Sequence, residues 1–491
     1  MHETHLMHET HLRKERQTIK LGLIKAVNDL FPGETFETVC SIQESVFCKL
    51  AGSALSEREV RQIDSRLREW IKADKPIVLL ENQNGYYHYD VDGLIIKSIH
   101  PANERSSDVD LFRIIPFSSG YLVDFLRDET ELTYPYAMPQ KLYKTYWKSQ
   151  RWLSNINIEF VTDTNRYIRS GRHLELINIA EALQEKQISD IADMIMRERR
   201  AVKVILISGP SSSGKTTFSH RLSTQLRVNG LTPVPLALDD YFLDREQTPL
   251  DADGNYDFDA LEALDLKLLD RQIEQLINGE TVDTPIFDFT LGLRSKENRR
   301  MKLGPSEILV IEGIHALNPA LIANLSKSVF FKIYVSALFG LNIDYMNRVP
   351  TTEVRMLRRM VRDDKFRGFS PERTLTQWPS VRRGEGKYVF KYQEECDVMF
   401  NSSLLYEMNA LRTFAETALK KIGPDSIHYE TQQRLLRLLS FFEPIDLSQV
   451  PFNSILREFI GGNIFPPSAH EENIALQRKM SESSCRWKRR R

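Results

Sequence analysis

The chain has little cysteine: Cys40, Cys48, Cys396 and Cys485 are the only four in 491 residues, and no pair shows C-x-x-C spacing. That excludes a disulfide framework or a cysteine-based zinc site and leaves buried or incidental thiols in a reducing compartment. No apolar run approaches the roughly 18 residues needed to cross a bilayer, and the N-terminus lacks the apolar core of a signal peptide. A cytoplasmic location without membrane contact is therefore expected. Net charge is almost absent, with 66 Lys and Arg against 67 Asp and Glu. No global field thus draws the chain to nucleic acid or lipid, though a local basic patch is not excluded. The guanine-reading pattern [NT]-K-x-D is also missing, which argues against a GTPase switch.

What is present centres on Gly209-Pro210-Ser211-Ser212-Ser213-Gly214-Lys215-Thr216-Thr217, which satisfies G-x-x-x-x-G-K-[ST]. The apolar run Val204-Ile205-Leu206-Ile207 leads in. Leading out is an amphipathic segment with Phe218, Leu222 and Leu226 on one face, stopping at Asn229-Gly230. Strand, loop and helix in that order let loop N–H groups and a helix N-terminus surround a polyphosphate. Lys215 adds positive charge, and the Thr216 hydroxyl is suited to Mg²⁺. A chance Gly/Ser loop would lack these flanks, so residues 209 to 217 are expected to bind a nucleoside triphosphate.

Two further strands deliver acids. Val234-Pro235-Leu236-Ala237-Leu238 runs into Asp239-Asp240-Tyr241-Phe242, and Ile308-Leu309-Val310-Ile311 ends at Glu312-Gly313. In a parallel α/β sheet that edge holds ligands. A carboxylate there deprotonates an acceptor hydroxyl or holds a metal through water; a helix N-cap is the plainer role for one of the two aspartates. Glu312 takes a Walker B-like position in the Mg²⁺ shell. Between Thr351 and Lys391, eleven Lys or Arg face five Asp or Glu. Arg355, Arg358, Arg359 and Arg362 share a helical face at spacings of three and four. Beside a phosphate loop, such cations suggest a lid that neutralises a transferring phosphoryl group and excludes water; a solvated helix face is the alternative.

The motifs G-P-S-S-S-G-K-T-T, L-D-D-Y-F, Y-D-F-D, T-P-I-F-D-F, V-I-E-G-I and R-R-x-x-R-D-x-x-x-R-G resemble those of the phosphoribulokinase/uridine kinase family. The whole chain is similar to bacterial nucleoside kinases with a threonyl-tRNA-synthetase-like region ahead of the kinase. Trp378-Pro379-Ser380-Val381-Arg382-Arg383-Gly384-Glu385 and Ile455-Leu456-Arg457-Glu458-Phe459-Ile460-Gly461-Gly462 support this. The resemblance implies roles by motif. Asp239 would be the catalytic base, sharing the metal with Thr216 and Glu312, with Lys215 and Arg362 beside it in catalysis. Asp259 would hold ribose hydroxyls, Arg359 and Arg367 would contact phosphates, and Gln377 would contact the nucleoside. The chain also departs from uridine kinases. Phe287 replaces a tyrosine, Gly292 the base-reading histidine and Phe369 a lid arginine, which weakens uridine as the acceptor more than it weakens the kinase. On this resemblance, the family's N-terminal ubiquitin-like module is expected to be missing or truncated.

The implied fold class is α/β, a P-loop NTPase with a mostly parallel sheet, preceded by an α+β threonyl-tRNA-synthetase-like domain. Expected segments are a disordered leader at 1–17, where Met-His-Glu-Thr-His-Leu occurs twice, and the synthetase-like region with a helical linker at 18–199. The kinase domain follows at 200–402, a helical extension at 403–465 and a disordered basic tail at 466–491. The expected function is ATP- and Mg²⁺-dependent transfer of a phosphoryl group to a small-molecule 5′-hydroxyl, nucleoside first, in a homo-oligomer. The rivals are a kinase for a sugar phosphate or pantothenate and a nucleotide-dependent regulatory protein gripping RNA through its first region.

Overall fold

The computed structural model describes residues 2–465 except 43–44, 127–130, 132–135, 137, 200, 251–253, 255, 289–290 and 323–328. The expected basic tail, 466–491, lies outside them, as do the side chains of residues 2–9. The chain divides into two compact units, the first comprising Met1–His173, Phe339–Val354 and Leu419–Ile445.

In the first unit α1 (His2–Leu30) is helical through the segment expected to be a disordered leader. Its later turns supply Ile19, Leu23, Ile24 and Val27 to a core that includes Trp70 and Tyr121. Next come β1 (Phe36–Ile42), β2 (Ser45–Leu50) and α2 (Glu57–Lys72). α2 starts where Ser56 and Glu59 cap each other reciprocally, and it buries Val60, Ile63, Leu67 and Trp70 on one face. The strands β3 (Ile77–Gln83), β4 (Tyr86–Val91) and β5 (Leu94–Ser98) form one antiparallel sheet. β6 (Phe112–Phe117) and β7 (Gly120–Phe125) join the first two strands in another, ordered β1-β2-β7-β6. The helices α3 (Gln140–Asn155) and α4 (Val161–Arg169) follow.

The second unit comprises Leu174–Leu338, Arg355–Ala418 and Asp446–Arg491. Its opening helix α5 (His173–Arg197) buries Ile177, Ala180, Ile188 and Ile195. Then come β8 (Val204–Ser208), α6 (Lys215–Val228), β9 (Thr232–Ala237) and α7 (Leu266–Ile277). Two small hairpins follow, one pairing β10 (Thr281–Thr284) with the later β13 (Arg299–Lys302), the other β11 (Phe287–Asp288) with β12 (Leu293–Arg294). The chain continues through β14 (Glu307–Glu312), β15 (Phe330–Ser336), α8 (Thr351–Arg362), α9 (Pro371–Tyr388) and β16 (Val398–Asn401). It ends with α10 (Glu407–Leu419), α11 (Tyr429–Ser440, in the first unit) and α12 (Arg457–Ile460).

The central sheet is parallel throughout, ordered β16-β15-β8-β14-β9. All five residues of β8 are buried, as a strand covered on both faces requires. Its register sets the site: Glu312, the last residue of β14, lies level with Ile207 on one neighbour and Ala237 on the other. The loop after Ser208, the acid ending β14 and the aspartates just beyond β9 therefore share one sheet edge.

Candidate active site

The loop from Gly209 to Gly214 is held in a shape only its sequence allows. A Cβ on Gly209 would sit 2.0 Å from the Val335 carbonyl oxygen. Gly214, the N-cap of α6, has φ 83°, and a Cβ there would meet Ile455 at 2.5 Å. The loop's carbonyls are tied back one by one. Lys215 Nζ donates to Pro210 O (3.2 Å), Arg355 Nε to Ser211 O (3.0 Å), Arg358 to Ser212 O (3.3 Å), and Ser402 Oγ to Ser213 O. With the acceptors anchored behind, the N–H groups at the start of α6 are left to make a concave anion site.

The acids gather beside it. Thr216 Oγ1 stands 3.5 Å from Glu312 Oε2. Burial pushes the Glu312 carboxyl up to about 7; Lys215 opposes this, and Asp239 and Glu458 add to it. Asp239 keeps an exposed residue surface, yet desolvation by surrounding protein raises its pKa against the pull of Lys215, Arg367 and Arg362. The structure thus brings Lys215, Thr216, Asp239 and Glu312 into one electrostatic neighbourhood. Asp240 turns elsewhere: it accepts from the Phe287 N–H (3.4 Å) and lies 3.7 Å from Arg299. No cluster of three or more His, Cys, Asp or Glu with metal-binding geometry occurs among the described residues. The donor set fits Mg²⁺, which is held by one or two carboxylates together with substrate phosphates rather than by a closed protein cage.

The arginines divide, which corrects the expectation of four lid cations on one face of α8. Arg355 is buried and paired with Glu385, and Arg358 is buried and paired with Glu407. These two brace the loop from behind, because an unpaired guanidinium could not be enclosed there. Arg359 donates to Ser211 Oγ (3.0 Å), and Arg362 pairs with Glu458 (2.8 Å). Beyond α8 a π-helical turn, Asp363–Arg367, carries Arg367, which shares Asp363 with Arg359 at 3.1 and 3.3 Å. Burial together with Arg362 pulls the Arg367 pKa down to about 10.

Burial pushes Asp259 up to about 6, opposed by Arg359. Gly384 of α9 packs so closely that a Cβ would lie 2.7 Å from the Asp259 Cβ. Gln377, half-buried, is two helical turns before Gly384 on the same face of α9. Phe287 is buried against Phe242, with ring centroids 5.6 Å apart. Gly292, φ 71°, has the Arg245 guanidinium 2.8 Å from where a side chain would begin.

Sequence reasoning missed several groups. Glu385 accepts from the Ser211 N–H at 2.8 Å, and Glu458 accepts from the Thr217 N–H and hydroxyl at 3.3 and 3.1 Å. Both fall in stretches singled out for resemblance, but spacing alone does not say what they touch. His315 is buried beside Tyr388, and burial lowers its pKa to about 4 against the opposing pull of the Asp259 main chain. Nothing in the sequence marks it.

The model of the Phosphoribulokinase / Uridine kinase family matches residues 204–405. A uridine kinase of Ligilactobacillus salivarius is 30% identical over 188 residues, covering 38% of this chain and 78% of that protein. One from Deinococcus deserti is 31% identical over 175 residues, covering 36% and 75%. A solved structure described as a possible uridine kinase from Bacillus stearothermophilus is 20% identical and covers 44% of this chain and 100% of its own, with a TM-score of 0.30. The matched span runs from β8 to just beyond β16 and takes in the loop, both strand-end acids and the arginine helix, so the chain belongs to the phosphoribulokinase/uridine kinase family.

Proposed function

We propose that the chain transfers the terminal phosphoryl group of ATP to a hydroxyl of a small molecule, with the 5′-hydroxyl of a nucleoside as the leading acceptor. The observation that carries this reading is the convergence of Lys215, Thr216, Asp239 and Glu312 at the sheet edge that also presents the loop. ATP with Mg²⁺ supplies the phosphoryl group and neutralises charge when bound. Main-chain N–H groups at the start of α6 would hold the phosphates, and Thr216 and Glu312 would offer the metal an oxygen each. Asp239, already raised toward proton affinity, takes the proton from the attacking hydroxyl. Lys215, Arg362, Arg359 and Arg367 stabilise charge spread over the transferring group. Positioning and charge neutralisation supply most of the acceleration in such transfers. Asp259 and Gln377 orient the acceptor. The relatives' description as uridine kinases supports a nucleoside.

A second acceptor class has an observation in its favour. The Arg245 guanidinium closes on Gly292, where the family resemblance puts a base-reading histidine, and a cation there favours an acceptor carrying phosphate or carboxylate. Mass spectrometry of products from ATP, Mg²⁺ and a mixture of nucleosides, sugar phosphates and pantothenate tests both readings. A phosphorylated nucleoside supports the first and a phosphorylated anion the second. ADP release with no phosphorylated acceptor refutes both. For residues 18–199 a threonyl-tRNA-synthetase-like α+β region remains our proposal, supported by their mix of helices and antiparallel sheets.

A further inference from the structure

The stretch Ile455–Gly462, noticed in the sequence but given no task by the kinase chemistry, lies on the phosphate cradle. Ile455 packs against Gly214. The Glu458 side chain, 7% exposed, spends both oxygens on groups that a bound nucleotide would want. One accepts from the Thr217 N–H at 3.3 Å and the Thr217 hydroxyl at 3.1 Å; the other takes Arg362 at 2.8 Å. The Thr217 amide is the third of α6, one of the helix-start donors with no partner inside the helix. An anion is the natural occupant of such a position, and here the anion belongs to the chain itself.

The rest of the segment is fastened around that carboxylate. Lys365 Nζ donates to the Ile460 carbonyl at 2.7 Å, and Asn463 Nδ2 lies 3.4 Å from Thr217 Oγ1. Phe465 stacks on His220 with centroids 4.9 Å apart and planes 9° apart. Arg457 donates to the carbonyls of Leu447 at 2.9 Å and Gly461 at 3.1 Å, which gives the short helix α12 a fixed base. These contacts hold Glu458 at the cradle as a tethered ligand at high local concentration.

We propose that Glu458 is a built-in occupant of the nucleotide phosphate site. It holds the Thr217 amide and Arg362 in place when no nucleotide is bound and must be displaced by the nucleotide phosphates. The proposal rests on the nucleotide reading of the loop but not on any identity of the acceptor. It makes residues 455–465 a competitor of ATP and couples nucleotide arrival to their release.

The test is calorimetric titration of ADP into the full chain and into Glu458→Gln, without acceptor. Gln keeps the shape but loses the charge-assisted bonds, so the variant should bind ADP about ten-fold more tightly. Equal or weaker affinity in the variant, with binding by both proteins, overturns this proposal alone; binding by neither overturns the nucleotide reading and this proposal with it. Hydrogen exchange on the unaltered chain gives a second readout that needs no variant to fold. Saturating ADP should speed exchange of the amides in 455–465, and slower exchange there would show that the segment is a wall of the nucleotide site and not its displaced occupant.

Discussion

Replacing Glu312 by Gln should stabilise the ligand-free protein while disabling it. Burial lifts the Glu312 carboxyl from an ordinary 4.5 to about 7, with Asp239 and Glu458 pushing the same way and Lys215 against. A carboxyl whose folded pKa is raised binds its proton more tightly in the folded state. Its contribution to stability is therefore whole below pH 4.5 and is lost as pH rises through 7. At 1.36 kcal/mol per unit the full shift is worth about 3 kcal/mol. Glu312 is only partly enclosed, and solvent screening trims this to about 1–2 kcal/mol. Gln keeps the neutral form at every pH. At pH 8, without nucleotide or Mg²⁺, the variant should melt about 2–8 °C above the parent, using about 2–4 °C per kcal/mol for a domain of this size. The offset should shrink steadily toward pH 5. Asp259, at about 6, titrates in both proteins and cancels from the difference. Scanning calorimetry at pH 5, 6, 7 and 8 decides it: an equal or lower melting temperature for the variant at pH 8, or an offset independent of pH, refutes the reasoning. Adding Mg²⁺ and ATP should reverse the order, because the variant has lost one of the carboxylates the site offers the metal.

Lys215→Ala and Asp239→Asn should each lower kcat by a factor of at least about a hundred with the fold intact by circular dichroism, since both act on developing charge; near-normal turnover in Asp239→Asn removes the assigned base. Asp259 should hold the acceptor only when ionised, so the acceptor KM should climb as pH falls through about 6. Steady-state kinetics at pH 5.5 and 7.5 on the parent and on Asp259→Asn check this: the variant should show a high acceptor KM at both pH values. Arg358→Met strands Glu407 and frees the Ser212 carbonyl, at a loss of about 3–5 kcal/mol of stability in thermal unfolding. Adding Glu407→Gln should recover much of the stability without restoring ADP affinity, because the loop would still lack its brace.

Much of this architecture was legible because local rules and tertiary demands agree. The Ser56–Glu59 box, the stripe Val60, Ile63, Leu67, Trp70 and the run Phe218, Leu222, Leu226 ending at Asn229-Gly230 all became the helices their spacing predicts. The positions of the glycine-bounded loop and the strand-end acids were legible for a related reason: such a loop after a buried strand leaves few alternatives in a parallel sheet. What stayed hidden were long-range partners. Glu385, Ser402, Glu407 and Glu458 lie 174 to 241 residues from the loop groups they serve or support, and no periodicity reports a contact made at that distance. The helix through residues 2–17 occupies a segment expected to be disordered, because a repeated polar hexapeptide shows no apolar stripe, although Glu15 and Gln17 are buried.

The arginines show why charge counts alone could not assign roles. Every one of the five near the loop has a carboxylate: Glu385 for Arg355, Glu407 for Arg358, Asp363 for Arg359 and Arg367, Glu458 for Arg362. This arginine cluster is therefore close to neutral as it stands, and a phosphate would recruit an arginine only by exchanging one anion for another. Exchange is barred where both partners are sealed, as for Arg355 and Arg358 at 3% and 0% exposed, since a deserted Glu385 or Glu407 would be left charged in the interior. It is open to Arg359, Arg362 and Arg367, at 15%, 14% and 24%. Of their two carboxylates, Asp363 also accepts from the Thr374 hydroxyl and sits wholly inside, whereas Glu458 rides on a four-residue helix near the end of the described chain. The exchange that requires least of the structure is at Arg362, which makes Glu458 the anion that gives way first.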